Sequence, residues 1–135
     1  MIRYITGRGG SGIGGLSAYL ATLDDDYDVL PIDPEFLQQD IQGQVDSIRE
    51  FINLDSGNVI ANSYGAYLLL LSLIDQPRSS IRVLLLSPVL GRAISEERML
   101  FSRPPREKTL HQAIAEQRLG IPDHLEIVTG GEDEI

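Results

Sequence analysis

Two residues of this chain combine the type and spacing that nucleophilic catalysis requires. Ser63 lies in "VIANSYGAYLLL", with Ala61 two residues before it and Gly65 two residues after it. Small residues at these positions let a strand turn sharply into a helix, so that the serine is exposed at the top of a sheet. The pattern A-x-S-x-G therefore predicts a nucleophilic serine. Serine is equally favoured as an ordinary N-cap at the start of a helix.

Asp133 is the second candidate catalytic residue. It lies in "IVTGGEDEI", just beyond the last apolar segment of the chain. An acid after a late strand suits the chain order Ser…Asp…His of a catalytic triad. Acids are also common in solvated loops, so the position alone leaves both interpretations open.

A glycine-rich segment, "ITGRGGSGIGG" at 5–15, could serve either of two chemistries. Gly7, Gly9 and Gly12 fit G-x-G-x-x-G, and Asp33 follows near the position of a ribose-binding acid, which favours a dinucleotide site. Backbone N–H groups in such a loop can equally stabilise the oxyanion of an acyl-transfer reaction. The glycines could also simply form a tight turn. A phosphate-binding Walker A loop is excluded because no Gly-Lys-Ser/Thr follows.

Strands and helices that alternate along the chain must position these residues. Short β-rich or apolar segments predict five strands, and amphipathic or apolar segments between them predict helices. The strands are expected at 2–6, 27–33, 58–62, 81–89 and 124–131. This alternation predicts an α/β fold with a parallel, doubly wound sheet in a single domain, 1–135.

Periodicity and capping predict two of the helices in more detail. Ile13, Leu16, Leu20 and Leu23 recur at helical spacing and predict one apolar stripe. A second stripe at 41–52 follows Asp40, a suitable N-cap. Further helices are expected from 64 onwards and at 107–119. The continuous apolar run 81–89 is typical of a strand that is covered on both faces.

Composition restricts the classes of partner. The net charge of −9 argues against a nucleic acid or an anionic membrane as partner, because both require a basic surface. The chain has no cysteine, which excludes disulfides, thiolate metal sites and a cysteine nucleophile. With no apolar signal core at its start, the chain is expected in the cytoplasm.

Together these motifs resemble the α/β-hydrolase superfamily, in particular its compact serine hydrolases. "TGRGGSG" at 6–12 is similar to the family's oxyanion loop, with Thr6 where a histidine is often found. "ANSYG" at 61–65 resembles its nucleophile elbow, and "GGEDEI" at 130–135 resembles its acid loop. The resemblance implies a three-layer fold with strand order 2-1-3-4-5.

The resemblance also implies a set of roles and a substrate class. Ser63 would be the nucleophile, and Asp133 the triad acid. The oxyanion donors would be the amide of Tyr64 and that of Arg8 or Gly9. The substrate would be a small acyl compound, namely an ester, thioester or amide, with no cofactor. The segment 92–106 would form a lid.

The family's histidine downstream of the acid has no counterpart in this sequence. We therefore expect the chain to be a C-terminally truncated form that self-associates through its exposed C-terminal edge. His124 is expected at the wrong edge of the sheet to act as base, whereas His111 is placed nearer to the predicted site. A non-catalytic binding module and a Rossmann-type NAD-binding domain remain the alternatives.

Overall fold

The computed structural model describes residues 1–53, 55–89 and 104–129. Five strands and five helices occur in these ranges. In chain order they are β1 (Ile2–Arg8), α1 (Gly15–Leu20), β2 (Tyr27–Ile32), α2 (Pro34–Leu37), α3 (Ile41–Phe51), β3 (Asn58–Asn62), α4 (Tyr64–Ser72), β4 (Arg82–Leu86), α5 (Glu107–Ala115) and β5 (His124–Val128).

The five strands form one parallel sheet in the order β2-β1-β3-β4-β5, which confirms the predicted topology. The chain moves from β1 to β2 in one direction and then crosses back to β3 in the other. The switch point of this doubly wound sheet therefore lies between β1 and β3. Ligands of open α/β sheets bind at the carboxyl ends of the strands at such a point.

One face of the sheet carries the main core. Ile5, Val59, Ala61 and Leu85 alternate inward on three adjacent strands and are completely buried. Against them lies α4, in which all nine residues are buried. A helix that is apolar on every side needs partners on every side, and α4 has the sheet below it and α3 beside it.

The opposite face is only partly covered, because its helix, α1, has six residues and contacts β1. Ile2 and Tyr4 of β1 are buried, whereas Ile60 and Leu84 on the next strands remain partly exposed. A hollow of about 380 Å³ lies over this part of the sheet. The expectation that the run 81–89 is covered on both faces is therefore wrong for the described part of the chain.

The predicted apolar stripe of the first helix is also wrong. Ile13 and Leu23 are 86% and 55% exposed, and only Leu20 of the stripe is buried. The helix starts as late as Gly15, after a loop in which Gly12 has a left-handed φ of +76° and Gly14 is extended. Ile13 therefore belongs to the loop, and Leu23 lies beyond the end of the helix.

The prediction for α3 is confirmed. Asp40 caps the helix, since its Oδ1 accepts a hydrogen bond from the Gly43 amide at 2.8 Å. The last helix ends at Ala115 rather than at 119, and Gln117 follows it with a left-handed φ of +57°. None of the described helices has the length and apolar character needed to cross a bilayer.

The last strand, β5, forms one edge of the sheet. Ile127 and Val128 on it are 51% and 50% exposed. Exposed apolar strand edges favour pairing with another chain. Self-association through this edge stays a prediction.

Candidate active site

Ser63 has an unusual backbone conformation at the junction of β3 and α4. Its φ is 53° and its ψ is −117°, outside the regions that residues with a side chain normally occupy. An N-cap residue normally has extended dihedrals and accepts a hydrogen bond through its side chain. The side chain of Ser63 makes no capping hydrogen bond. Of the two interpretations of this serine, the geometry favours the nucleophile elbow over the N-cap.

Backbone hydrogen bonds from β4 and α4 hold Ser63 in this conformation. Its amide donates to the Leu86 carbonyl at 2.9 Å. Its carbonyl accepts from the amides of Tyr67 at 3.1 Å and Val89 at 3.4 Å. Such a conformation costs on the order of 1–3 kcal/mol and persists where the surrounding structure fixes it. The neighbouring strand and helix supply that restraint.

Two glycines permit the close approach that the elbow requires. A Cβ on Gly65 would lie 2.2 Å from the Thr6 carbonyl oxygen, so α4 can contact β1 only with glycine there. A Cβ on Gly7 would lie 3.3 Å from the Cβ of Ser63. The glycine loop and the serine therefore face each other across the switch point, as the resemblance implied.

The predicted oxyanion donors differ in their availability. The Tyr64 amide belongs to the first turn of α4, where amides have no partner within the helix. The Gly9 amide already donates to the Ile32 carbonyl at 2.8 Å. This bond removes Gly9 as a free donor and favours Arg8 of the two alternatives.

Side-chain hydroxyl groups fix the glycine loop to its surroundings. The Thr6 Oγ1 accepts from the Ile32 amide and donates to the Gly7 carbonyl, both at 2.8 Å. Farther along the loop, the Ser17 Oγ donates to the Gly12 carbonyl at 2.6 Å. The loop amides are thus oriented by bonds to β2 and α1. Thr6, which the resemblance compared with a histidine, performs this structural task.

A buried pair of tyrosines supports the site from the side of α3. The rings of Tyr64 and Tyr67 stack with centroids 6.1 Å apart, and burial raises the pKa of both hydroxyl groups. Tyr64 donates to the Gln44 Oε1 at 2.9 Å, and Tyr67 donates to the Pro105 carbonyl. The guanidinium carbon of Arg8 lies 4.8 Å from the centroid of the Tyr64 ring.

Sequence reasoning missed Gln44 and the side-chain role of Arg8. Gln44 is a buried polar residue three positions after Ile41, on the apolar stripe of α3. A polar residue on such a stripe requires a buried partner, and that signal was available. The position of Arg8 over an aromatic ring depends on the tertiary fold and has no local signal.

The remaining predicted residues are not brought to Ser63 by the described structure. Asp133 lies outside the described residues, as does most of the predicted lid. His124 begins β5, which confirms its predicted position at the amino edge of the sheet, opposite the edge that carries Ser63. His111 lies on α5 and is exposed. Asp33 caps α2, because its Oδ1 accepts from the Phe36 amide at 2.8 Å.

A polar pocket of about 270 Å³ adjoins the glycine loop. Besides the loop it is lined by Tyr4, Ser17 and Asn62, the last of which directly precedes Ser63. Within the described ranges, no three His, Cys, Asp or Glu side chains are grouped so that they could hold a metal ion. The pocket offers hydroxyl and amide groups to a small polar molecule.

Comparison with known proteins adds no assignment to this geometry. No family model, no curated protein and no solved structure matches the chain significantly.

Proposed function

We propose that the chain is a serine hydrolase domain of the α/β-hydrolase type that acts on an ester, thioester or amide. The observation that carries the proposal is the conformation of Ser63, which is strained, restrained by its neighbours and not used as a helix cap. Strained residues of this kind concentrate at functional sites. The glycine loop lies opposite Ser63, where its backbone amides would act as oxyanion donors.

In the proposed reaction, the Ser63 Oγ forms a bond to the acyl carbon while a base accepts the hydroxyl proton. The carbonyl oxygen becomes an oxyanion, which the amides of Tyr64 and Arg8 stabilise. The loss of one such donor typically lowers the rate by roughly 10²–10³-fold. The leaving group then departs with a proton from the base, and water releases the acyl group from Ser63.

The mechanism requires a base, and the described residues place no histidine beside Ser63. The sequence has two histidines, and His124 lies at the opposite edge of the sheet from Ser63. The proposed triad therefore requires His111 or a histidine outside this sequence, oriented by Asp133. We expect little turnover by the 135-residue chain itself.

A fluorophosphonate probe tests the proposal, because it bonds covalently to activated serines and releases fluoride. Because labelling requires the base that activates Ser63, the probe is applied to the protein that contains this base. We expect labelling of the wild type, no labelling of Ser63→Ala, and unchanged labelling of Ser56→Ala, which alters an exposed loop serine. Labelling that persists in Ser63→Ala would contradict the proposal. A His111→Ala variant then shows whether that residue is the base.

A Rossmann-type NAD-binding domain is the alternative enzyme-related function, but two observations disfavour it. Its fingerprint opens directly into a helix, whereas α1 begins three residues after Gly12. The carboxylate of Asp33, which would bind the ribose, caps α2 instead. NAD binding that is lost in Asp33→Ala would reverse this preference. A non-catalytic binding module would bind small acyl compounds without labelling at Ser63.

A further inference from the structure

Arg8 is a cation without an acidic partner in the described part of the chain. Four other arginines pair with carboxylates within 4 Å: Arg3, Arg49, Arg78 and Arg118. Arg8 instead lies over the ring of Tyr64, with its guanidinium carbon 4.8 Å from the ring centroid. Arg82 and Arg106 also lack an acidic partner among the described residues, so what distinguishes Arg8 is its position between the glycine loop and Tyr64.

The position of Arg8 links it to the nucleophile in two ways. Its backbone belongs to the glycine loop, where the adjacent Gly7 approaches the Cβ of Ser63. Its side chain covers Tyr64, the residue that directly follows Ser63. Arg8 also lines the polar pocket beside the loop. The backbone of Arg8 thus belongs to the glycine loop, and its side chain contacts the residue that follows Ser63.

The contact with Tyr64 orients Arg8 and leaves most of its hydrogen-bonding capacity free. A guanidinium has five N–H donors, and the contact with the ring and the hydroxyl group of Tyr64 occupies only part of them. Tyr64 is itself fixed by its hydrogen bond to Gln44. The side chain is therefore held in place before a ligand arrives, which reduces the entropy lost on binding. Paired guanidinium N–H groups match the two oxygens of a carboxylate.

We propose that Arg8 binds a carboxylate of the substrate, so that the site selects esters or amides that carry a free carboxylate near the scissile carbonyl. This inference rests on the proposed function, because the bound carboxylate belongs to a substrate only if the protein is a hydrolase. The binding of the carboxylate itself does not require that Ser63 react. The two statements can therefore fail separately.

Monomethyl glutarate, which has one ester and one carboxylate, is the probe, and dimethyl glutarate is its neutral counterpart. Binding is measured by NMR titration of the Ser63→Ala variant, in which neither ester can be cleaved. We expect the monomethyl ester to bind at least about tenfold more tightly. Adding Arg8→Gln should weaken its binding by about 10–100-fold, since hydrogen bonds to charged groups contribute this much.

Two further variants separate recognition from general electrostatics. Arg8→Lys keeps the charge but not the paired donors and should recover part of the affinity. Arg82 is an exposed arginine at the amino edge of the sheet and has no acidic partner among the described residues. Arg82→Gln should therefore leave the affinity unchanged. An equal loss in Arg82→Gln and Arg8→Gln would overturn the inference.

The remaining outcomes distinguish the inference from the proposed function. Equal binding of the two esters, or no binding of either at millimolar concentration, overturns the carboxylate site even if the fluorophosphonate labels Ser63. Arg8-dependent binding of the monomethyl ester without any labelling of Ser63 supports the carboxylate site and refutes the hydrolase. Both results together support a carboxylate-selective hydrolase.

Discussion

The substitution Gly65→Ala tests the packing that brings α4 onto β1. The added Cβ would lie 2.2 Å from the Thr6 carbonyl oxygen and 2.7 Å from the Ile5 Cγ2. An ordinary carbon–oxygen contact is about 3.3 Å, so the helix must withdraw by roughly 1 Å. Overpacking typically costs about 1–3 kcal/mol, and a backbone oxygen cannot rotate away. We therefore expect a loss of about 3 kcal/mol in the free energy of unfolding.

Guanidinium denaturation followed by circular dichroism measures this loss, and thermal unfolding should show a fall in Tm of about 10 °C. Gly14→Ala is the matched control, because Gly14 is exposed, has a φ of −128° and has open space within 4 Å of the point where a Cβ would be added. It should change the free energy of unfolding by less than about 1 kcal/mol.

The proposed function adds a second readout for the same variant. Ser63 moves with the start of α4, and a displacement of about 1 Å can lower reactivity by roughly 10²-fold. Fluorophosphonate labelling of folded Gly65→Ala should fall accordingly. If Gly65→Ala resembled Gly14→Ala in stability, the close packing of α4 on β1 would be refuted.

Three further predictions concern stability. Asp40→Ala removes the cap of α3 and should cost about 1 kcal/mol in denaturant titrations, whereas Asp40→Asn should cost less. Burial raises the pKa of Tyr64 and Tyr67, so as the pH rises these hydroxyl groups lose their protons in the unfolded chain before they do so in the folded one. The free energy of unfolding should therefore fall above about pH 10, and it should fall less steeply in Tyr67→Phe. The amino terminus lowers the pKa of Asp24, so Asp24→Asn and the wild type should converge in stability at acid pH, below the folded pKa of Asp24.

The sheet topology could be predicted because each strand is a short apolar segment and helical segments separate the strands. The two central features of the site also had local signals, namely small residues around Ser63 and glycines after β1. What failed was the first helix. Its apolar spacing was helical, but the left-handed conformation of Gly12 and the extended conformation of Gly14 keep the chain in a loop until Gly15. In this segment the conformational freedom of glycine determined the structure, and the helical spacing of the apolar residues did not.

The contacts around the site required the tertiary structure. Gln44 and Tyr64 are 20 residues apart in sequence, and the hydrogen bond between them exists only once α3 packs on α4. Arg8 and Tyr64 are also far apart in sequence, with α1, β2, α2, α3 and β3 between them. The acid Asp133 stays a prediction, since it lies outside the described residues.

The complete burial of α4 also bears on how the chain is made. The ribosome releases "YGAYLLLLS" before β4 and α5, whose Leu85 and Leu110 belong to the same buried cluster as this helix. Exposed apolar surface in a partly synthesised chain promotes aggregation. Parallel pairing between distant strands is also slow to form. Among the helices that the structure describes, α4 is the most buried, and it exposes apolar surface until the later part of the core has been synthesised.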